Sequence, residues 1–343
     1  MRNRLILVTG GTGYIGSHTA VELQNAGFEV LIIDNLSNSS ADVVDGIEKI
    51  TGKRPKLIIA DCSNVEEMDK VFGTHPNIAA TIHFAASKAV GESVEKPLMY
   101  YRNNLLSLVN MLELSLKYGA NNFVFSSSCT VYGQPAALPV TESSPIQEAT
   151  SPYGNTKQIA EEIIRDTIHA NSLLRAICLR YFNPIGAHPS ALIGELPNGV
   201  PNNLVPFITQ TAMGIRECLS VFGNDYNTPD GSCIRDYINV VDLAKAHVIA
   251  VKRMLENKNK QPLEFFNIGT GKGLSVLELV CAFEEATGVK LDYKIVSRRA
   301  GDIEQIWADA SYANSELDWK AEQPISDTLH SAWQWEQALA TRK

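Results

Sequence analysis

Tyr153 and Lys157 stand four residues apart in Ser151-Pro152-Tyr153-Gly154-Asn155-Thr156-Lys157, a segment that opens a helical pattern. At that spacing the two side chains share one face of a helix, and Asn155 between them points away. A free phenol ionises near ~10 and is a poor base at neutral pH. An ammonium beside it stabilises the phenolate and makes a proton acceptor usable near pH ~7. A Tyr-x-x-x-Lys spacing is common by chance, so its weight comes from a second segment. Over 123–133 a strand feeds a cluster of hydroxyls at its carboxyl end, where Ser128 can hydrogen-bond a substrate hydroxyl.

A phosphate-binding turn precedes this pair. Val8-Thr9-Gly10-Gly11-Thr12-Gly13-Tyr14-Ile15-Gly16 follows a strand and opens a helix. Gly10 permits the tight turn, Gly13 lets the backbone approach a pyrophosphate, and Gly16 lets the helix pack close to the sheet. The helix N-terminus then presents free N–H groups to the phosphates. Asp34 ends the next strand, where a carboxylate accepts hydrogen bonds from a ribose 2′-hydroxyl and repels a 2′-phosphate. No Arg occurs from Phe28 to Ser40, so NAD is favoured over NADP. Asp61 and Cys62 follow the third strand, where an adenine edge would lie.

These groups need a scaffold. Strand patterns over 4–9, 29–34, 57–60, 80–85, 122–126 and 174–181 alternate with helical patterns over 15–26, 65–72, 97–118 and 151–171. Strand–helix alternation predicts an α/β fold, a doubly wound, parallel Rossmann-type sheet with ligands at the carboxyl ends of its strands. After Asn183 the pattern changes. Residues 188–203 read as a long functional loop and 226–232 as a second one. Strand and helix return over 235–255, with a strand at 265–268 and two or three helices in the tail. The expected division is a dinucleotide-binding domain over 1–181, with a return segment around 235–256, and a smaller α/β substrate domain over 182–343.

Composition sets limits and little more. Of 343 residues 45% are apolar and 20% charged, which excludes disordered and collagen-like chains. Thirty Lys and Arg against 38 Asp and Glu give a net charge of −8. Such a chain repels nucleic acid and anionic membranes, while a few placed Arg residues can still hold an anionic small molecule. Cys62, Cys129, Cys178, Cys218, Cys233 and Cys281 have no metal-ligand spacing, so no metal is expected and the thiols read as reduced. No apolar stretch approaches the ~18 residues of a membrane span, and the expected location is cytoplasmic.

Together Gly10–Gly16, Asp34, the 126–133 run and Tyr153 with Lys157 resemble the extended short-chain dehydrogenase/reductase superfamily. Within it the chain is similar to the UDP-glucose 4-epimerase family. The likeness extends over TGGTGYIGSH at 9–18, DNLSNS at 34–39, AVGESVEKP at 89–97, SSSCTVYG at 126–133 and SPYGNTK at 151–157. It continues through RYFNPIGAHPS at 180–190, PNNLVP at 201–206, VFGNDYNTPDG at 221–231, RDYINVVDLA at 235–244 and RRAGD at 298–302.

The resemblance implies interconversion of UDP-glucose and UDP-galactose through a 4-keto sugar, with NAD bound throughout. It assigns Tyr153 as base, Lys157 to the nicotinamide ribose and Ser128 to the 4-oxygen. Around NAD it places Gly10, Gly13, Tyr14, Ile15, Gly16, Asp34, Asn35, Leu36, Ser37, Asn38, Ser39, Asp61, Cys62, Phe84, Ala85, Ala86, Ser87, Lys88, Asn103 and Phe182, besides Tyr153 and Lys157. For the UDP-sugar it implies Lys88, Ser128, Tyr153, Asn183, Asn203, Leu204, Phe222, Arg235, Arg299, Asp302 and Ile306. Charge-assisted contacts from Arg235 and Arg299 suit a diphosphate.

Four positions depart from the family pattern: Cys129 replaces alanine, Ala86 replaces glycine, Asn155 sits between Tyr153 and Lys157, and Ile306 stands where a bulky tyrosine restricts the sugar pocket to plain hexoses. The alternative is a 4-epimerase of UDP-N-acetylglucosamine, UDP-glucuronate or UDP-xylose. The 128–131 run has no carboxylate, which argues against a dehydratase or a decarboxylase. The resemblance also implies a homodimer through the long helices at 97–118 and 151–171.

Overall fold

The computed structural model describes residues 4–299 and 301–341. Its main sheet contains β1 (Leu5–Thr9), β2 (Glu29–Asp34), β3 (Lys56–Ile59), β4 (Ile78–His83), β5 (Asn122–Ser128) and β6 (Arg175–Tyr181). Four short strands follow: β7 (Asn183–Ile185), β8 (Leu219–Phe222), β9 (Ile234–Arg235) and β10 (Tyr237–Asn239). Then β11 (Leu263–Ile268) returns to the main sheet beside β6. The spatial order is β11-β6-β5-β4-β1-β2-β3, every pairing parallel. The order reverses between β1 and β4, which opens a crevice at the carboxyl ends of the strands.

The helices are α1 (Tyr14–Asn25), α2 (Val43–Thr51), α3 (Val65–Thr74), α4 (Val90–Glu95), α5 (Pro97–Tyr118), α6 (Pro152–Ala170), α7 (Leu204–Ala212), α8 (Val240–Leu255), α9 (Val276–Thr287), α10 (Ser311–Leu317) and α11 (Ile325–Thr341). Strand alternation explains the layers. Ile6, Val8, Val30 and Ile32 face one core, covered by α1, α2, α8 and α10. Leu5, Leu7, Leu31 and Ile33 face the other, covered by α3, α5 and α6. Both faces of each strand are apolar, as a parallel sheet covered on both sides requires.

A second core joins Ile185, Val205, Leu219, Tyr237, Phe283, Leu329 and Trp333. It carries small sheets only: β7 with β10, β8 with β13 (Tyr293–Val296), and β9 between β12 (Leu274–Ser275) and β14 (Gln305–Ile306).

Three helices, α2, α4 and α7, have no counterpart in the sequence reading. In α2 the interior Gly46 weakens the helical signal. The fold needs it there, because a Cβ would stand 2.8 Å from the Leu192 carbonyl oxygen and from Ile193 Cγ2. The return to the main sheet also runs past 256, because β11 supplies its edge strand. Strand ends differ by one or two residues, so Phe84 and Ala85 lie just beyond β4.

Candidate active site

The glycine turn is shaped by close approach. Gly10 has φ +67°, and a Cβ there would stand 2.9 Å from the Ala85 nitrogen. At Gly16 a Cβ would strike the Gly10 carbonyl and lie 2.8 Å from Gly11 Cα. Gly11, which the sequence reading gave no role, is equally tight: a Cβ would meet Ile32 Cγ2 at 2.7 Å. Gly13 is the N-cap of α1, and no side chain caps that helix. Its first N–H groups therefore face the crevice. A cradle that side chains would fill, at an uncapped helix start, fits the pyrophosphate of the expected NAD.

Asp34 holds this cradle as well as ending β2. Its carboxylate accepts from the Thr12 N–H at 3.1 Å, the Leu36 N–H at 3.0 Å and Ser39 Oγ at 3.1 Å. Leu36 takes φ +57° to let the loop fold back. Asn35 Nδ2 donates to Asp61 at 3.0 Å and Asn35 Oδ1 accepts from the Ser37 N–H, while Asn38 is exposed. Burial pushes the Asp61 carboxyl up, but hydrogen bonds from Ser63 and Asn35 outweigh it and hold it below the usual range. Burial pushes the Cys62 thiol up to about 12.

Other predicted cofactor residues split between crevice and core. Tyr14 Oη donates to the Gly186 carbonyl at 2.6 Å, and Ile15 packs on the α1 side of the sheet. Phe84 turns its ring to His247 of α8, centroids 4.7 Å apart, so only its backbone lines the strand end. Ala85 N–H donates to Thr9 Oγ1 at 3.4 Å, and Ala86 is half-buried beside it. Ser87 is fixed by Asn104 and accepts from Asn103 Nδ2 at 3.2 Å. Phe182 is buried in a small cluster with Cys129, Val140, Ile306 and Ala308.

Ser128, Tyr153 and Lys157 come together where β5 meets α6. Ser151 accepts from the Gly154 N–H at 3.1 Å and Pro152 opens α6, which fixes Tyr153 in the first turn and Lys157 one turn on. Lys157 Nζ donates to the Ser126 carbonyl at 2.7 Å and lies 5.8 Å from the centre of the Tyr153 ring. Burial drives Tyr153 up to about 12, although a hydrogen bond with Ser128 opposes it. This runs against the sequence expectation, because the Lys157 ammonium is turned to Ser126 and does not offset the desolvation. Burial likewise takes Lys157 from 10.5 down to about 8, opposed by the Glu161 charge. Asn155 points away, donating to Tyr101 Oη at 2.7 Å.

A second group gathers the arginines. Arg299 makes a two-pronged bond to Asp302, at 2.8 and 3.1 Å, and lies over the half-exposed Phe222 ring at 5.5 Å. Arg235 comes within 3.9 Å of the same carboxylate and donates to the Ile234 and Glu304 carbonyls. It also faces the Cys129 thiol, whose value burial raises to about 12 while Arg235 pulls it down. Ile306 pairs with Arg235 between β14 and β9 and is 1% exposed. Ala300, within the 298–302 motif, lies outside the described residues.

Lys88 and Asn203 meet through Glu195, which takes Lys88 Nζ at 3.1 Å and Asn203 Nδ2 at 2.6 Å. Leu204 begins α7 beside them, and the Asn183 N–H donates to the Asp236 carbonyl at 2.9 Å. Glu195 was not singled out in the sequence, though it is the lone carboxylate in 188–203. Asp236 was missed too. Fully buried, it accepts from Thr270 N and Oγ1, Gly271 N and Ala308 N, and so ties β9 to the stretch after β14. Among the described residues no cluster of His, Cys, Asp or Glu could hold a metal, and no helix is long and apolar enough to cross a membrane.

A family profile described as GDP-mannose 4,6 dehydratase matches residues 7–331. UDP-glucose 4-epimerases of Dictyostelium discoideum and Bacillus subtilis (strain 168) are each 50% identical over 331 residues. The alignments cover 96% of this chain and 95% and 96% of those proteins. The chain belongs to the UDP-glucose 4-epimerase family. A solved family structure, from Bifidobacterium longum in complex with NAD+ and UDP, superposes with a TM-score of 0.94 at 46% identity. It spans 97% of this chain and 98% of that one. Family membership therefore extends over the glycine turn, the Tyr153 group and the arginine group alike.

Proposed function

We infer that this chain interconverts UDP-galactose and UDP-glucose, with NAD held throughout, by oxidation at carbon 4 of the sugar and reduction from its other face. The observation that carries this reading is the convergence of a Ser128–Tyr153–Lys157 group and an arginine pair on one crevice, in a chain of this family.

Gly10, Gly13, Gly16 and the start of α1 hold the pyrophosphate, and Asp34 takes the ribose hydroxyls. When bound, NAD would supply the hydride acceptor and a cationic ring. Tyr153 Oη takes the proton of the 4-hydroxyl and returns it after the keto sugar has turned. Ser128 Oγ accepts from the Thr130 N–H, which leaves its own proton for the 4-oxygen. Lys157 binds the nicotinamide ribose, its ammonium 5.8 Å from the centre of the Tyr153 ring. A sugar that must turn cannot be gripped, so binding energy has to come from the nucleotide end. Arg235, Arg299 and Phe222 provide it, with Asn183, Asn203 and Leu204 on the opposite wall.

Ile306, packed with Cys129 and Phe182, leads us to assign plain hexoses rather than N-acetylated ones. Residues Leu98, Leu105, Leu106 and Val109 form an apolar stripe on α5, with Leu98 78% and Leu106 43% exposed, which suits pairing of α5 and α6 in a homodimer. All six cysteines are free, which suits the cytoplasm. The test is purified protein with UDP-galactose and no added NAD, run beside UDP-N-acetylgalactosamine. Formation of UDP-glucose at the higher rate is expected; no product from either sugar would overturn the reading.

A further inference from the structure

Three consecutive serines at the end of β5 meet three successive turns of α6. The Ser128 hydroxyl bonds Tyr153, and the Ser126 carbonyl accepts from Lys157. Between them Ser127 Oγ donates to Glu161 Oε1 at 2.6 Å. Tyr153, Lys157 and Glu161 are spaced four apart, so one helix face presents all three. Strand alternation sets the partners. Ser127 follows Phe123 and Phe125 toward α6, and Arg180 follows Ala176 and Cys178 on the same side of β6.

Glu161 belongs to a buried ion pair. Arg180 Nε and Nη2 donate to its two oxygens at 2.9 and 2.7 Å, with the side chains 4% and 1% exposed. Arg180 also donates to Tyr132 Oη and the Glu142 carbonyl, and stacks on Phe265 at 4.5 Å. A buried pair of this kind gives little net stability over apolar packing. Its placement against the proton-transfer group gives it another use.

We propose that Glu161 is a positioning residue: clamped by Arg180 and Ser127, it keeps the neighbouring Lys157 ammonium charged and seated on the Ser126 carbonyl. The proposal rests on the Tyr153–Lys157 reading above. The groups facing Lys157 are Tyr153 and Glu161 on α6, His83 on β4, the Phe125 ring on β5 and Cys178 on β6. Burial holds His83 neutral and pushes the Cys178 acid up, so it stays neutral as well. Glu161 is the carboxylate of that set, and Arg180 donates to both its oxygens.

The experiment is the pH profile of kcat for the holoenzyme with UDP-galactose, for wild type, Glu161→Gln and Glu161→Asp. Phenolate absorbance is titrated in parallel, with Tyr153→Phe as the blank. For Glu161→Gln the alkaline limb should move down by about one pH unit, since an opposite charge one helical turn away shifts a group by that order. The Tyr153 phenolate should become harder to form over the same range. Glu161→Asp keeps the charge and should keep the limb in place even where the rate falls. If Glu161→Gln does not fold, the double variant E161Q/R180M, which removes both buried charges, is titrated instead and should move the same way. A uniform loss of kcat with the limb unmoved would overturn the proposal and leave Glu161 a packing residue. A fully active Tyr153→Phe would instead overturn the underlying reading.

Discussion

The two ends of the crevice are built differently. At the proposed proton-transfer end each group sits on a long regular element: Ser128 closes a seven-residue strand, and Tyr153 and Lys157 share a 19-residue helix. Lys157 is 4% exposed and its ammonium is seated on a backbone carbonyl. At the proposed nucleotide end Arg235 sits on a two-residue strand, and the side chain of Arg299, on a loop, is 48% exposed. Proton transfer fails when atoms move by fractions of an ångström, so its groups belong on rigid supports. Anion binding tolerates movement, because charge acts over longer distances and a guanidinium can re-aim. The two ends are joined by the Cys129, Phe182 and Ile306 cluster, which packs the catalytic turn against β14.

The comparison breaks first at Tyr153. Tyr153→Phe should lower kcat by about 10²- to 10⁴-fold, the usual worth of one positioned acid–base group. Its KM for UDP-galactose and its bound NAD, read by chromatography of the denatured protein, should be unchanged. Arg235→Ala should do the reverse and raise KM roughly tenfold to a hundredfold, the scale of a lost charge-assisted bond, with kcat nearly kept. The pH profile tests the rigid end alone. Lys157 titrates near 8, below its ordinary 10.5, and must be charged to act. Activity should therefore hold below that value and fall about tenfold per unit once pH rises past it. Arg299→Ala should cost only a few-fold in KM and lose most of its effect at high salt, because an exposed pair is screened. Cys129→Ala should leave kcat within about twofold, since a buried, un-ionised thiol takes no part in chemistry. Steady-state kinetics on each variant separates these outcomes.

Local signals carried most of the scaffold. The glycine turn, the alternating strands and the Tyr153–Lys157 spacing are each written within a few consecutive residues, and the seven-stranded sheet follows from them. Glu195 had no such signal. Its partners Lys88 and Asn203 lie on other segments, and the Lys88 contact spans 107 positions. The Arg180–Glu161 pair was hidden for the same reason, as each looks like an ordinary surface charge until β6 and α6 are brought together. The direction of the Tyr153 shift depends on burial, which spacing does not encode. Phe84 was placed near the cofactor by resemblance, yet its ring belongs to the core because His247 of α8 packs on it.

The late strand β11 carries a consequence for how the chain must be made. It pairs with β6 along six positions and brings Asn267, whose side chain accepts from Tyr132 Oη at 2.6 Å, next to the Arg180 network. A ribosome releasing this chain in order has therefore delivered the glycine turn, Tyr153 and Lys157 long before the sheet that supports them can close at residue 268. A fragment ending at 181 would lack that edge and the α8 cover, leaving the free edge of β6 and the α1 face open to water. Stopping synthesis or cutting the chain there should yield an aggregating fragment rather than a separable cofactor domain.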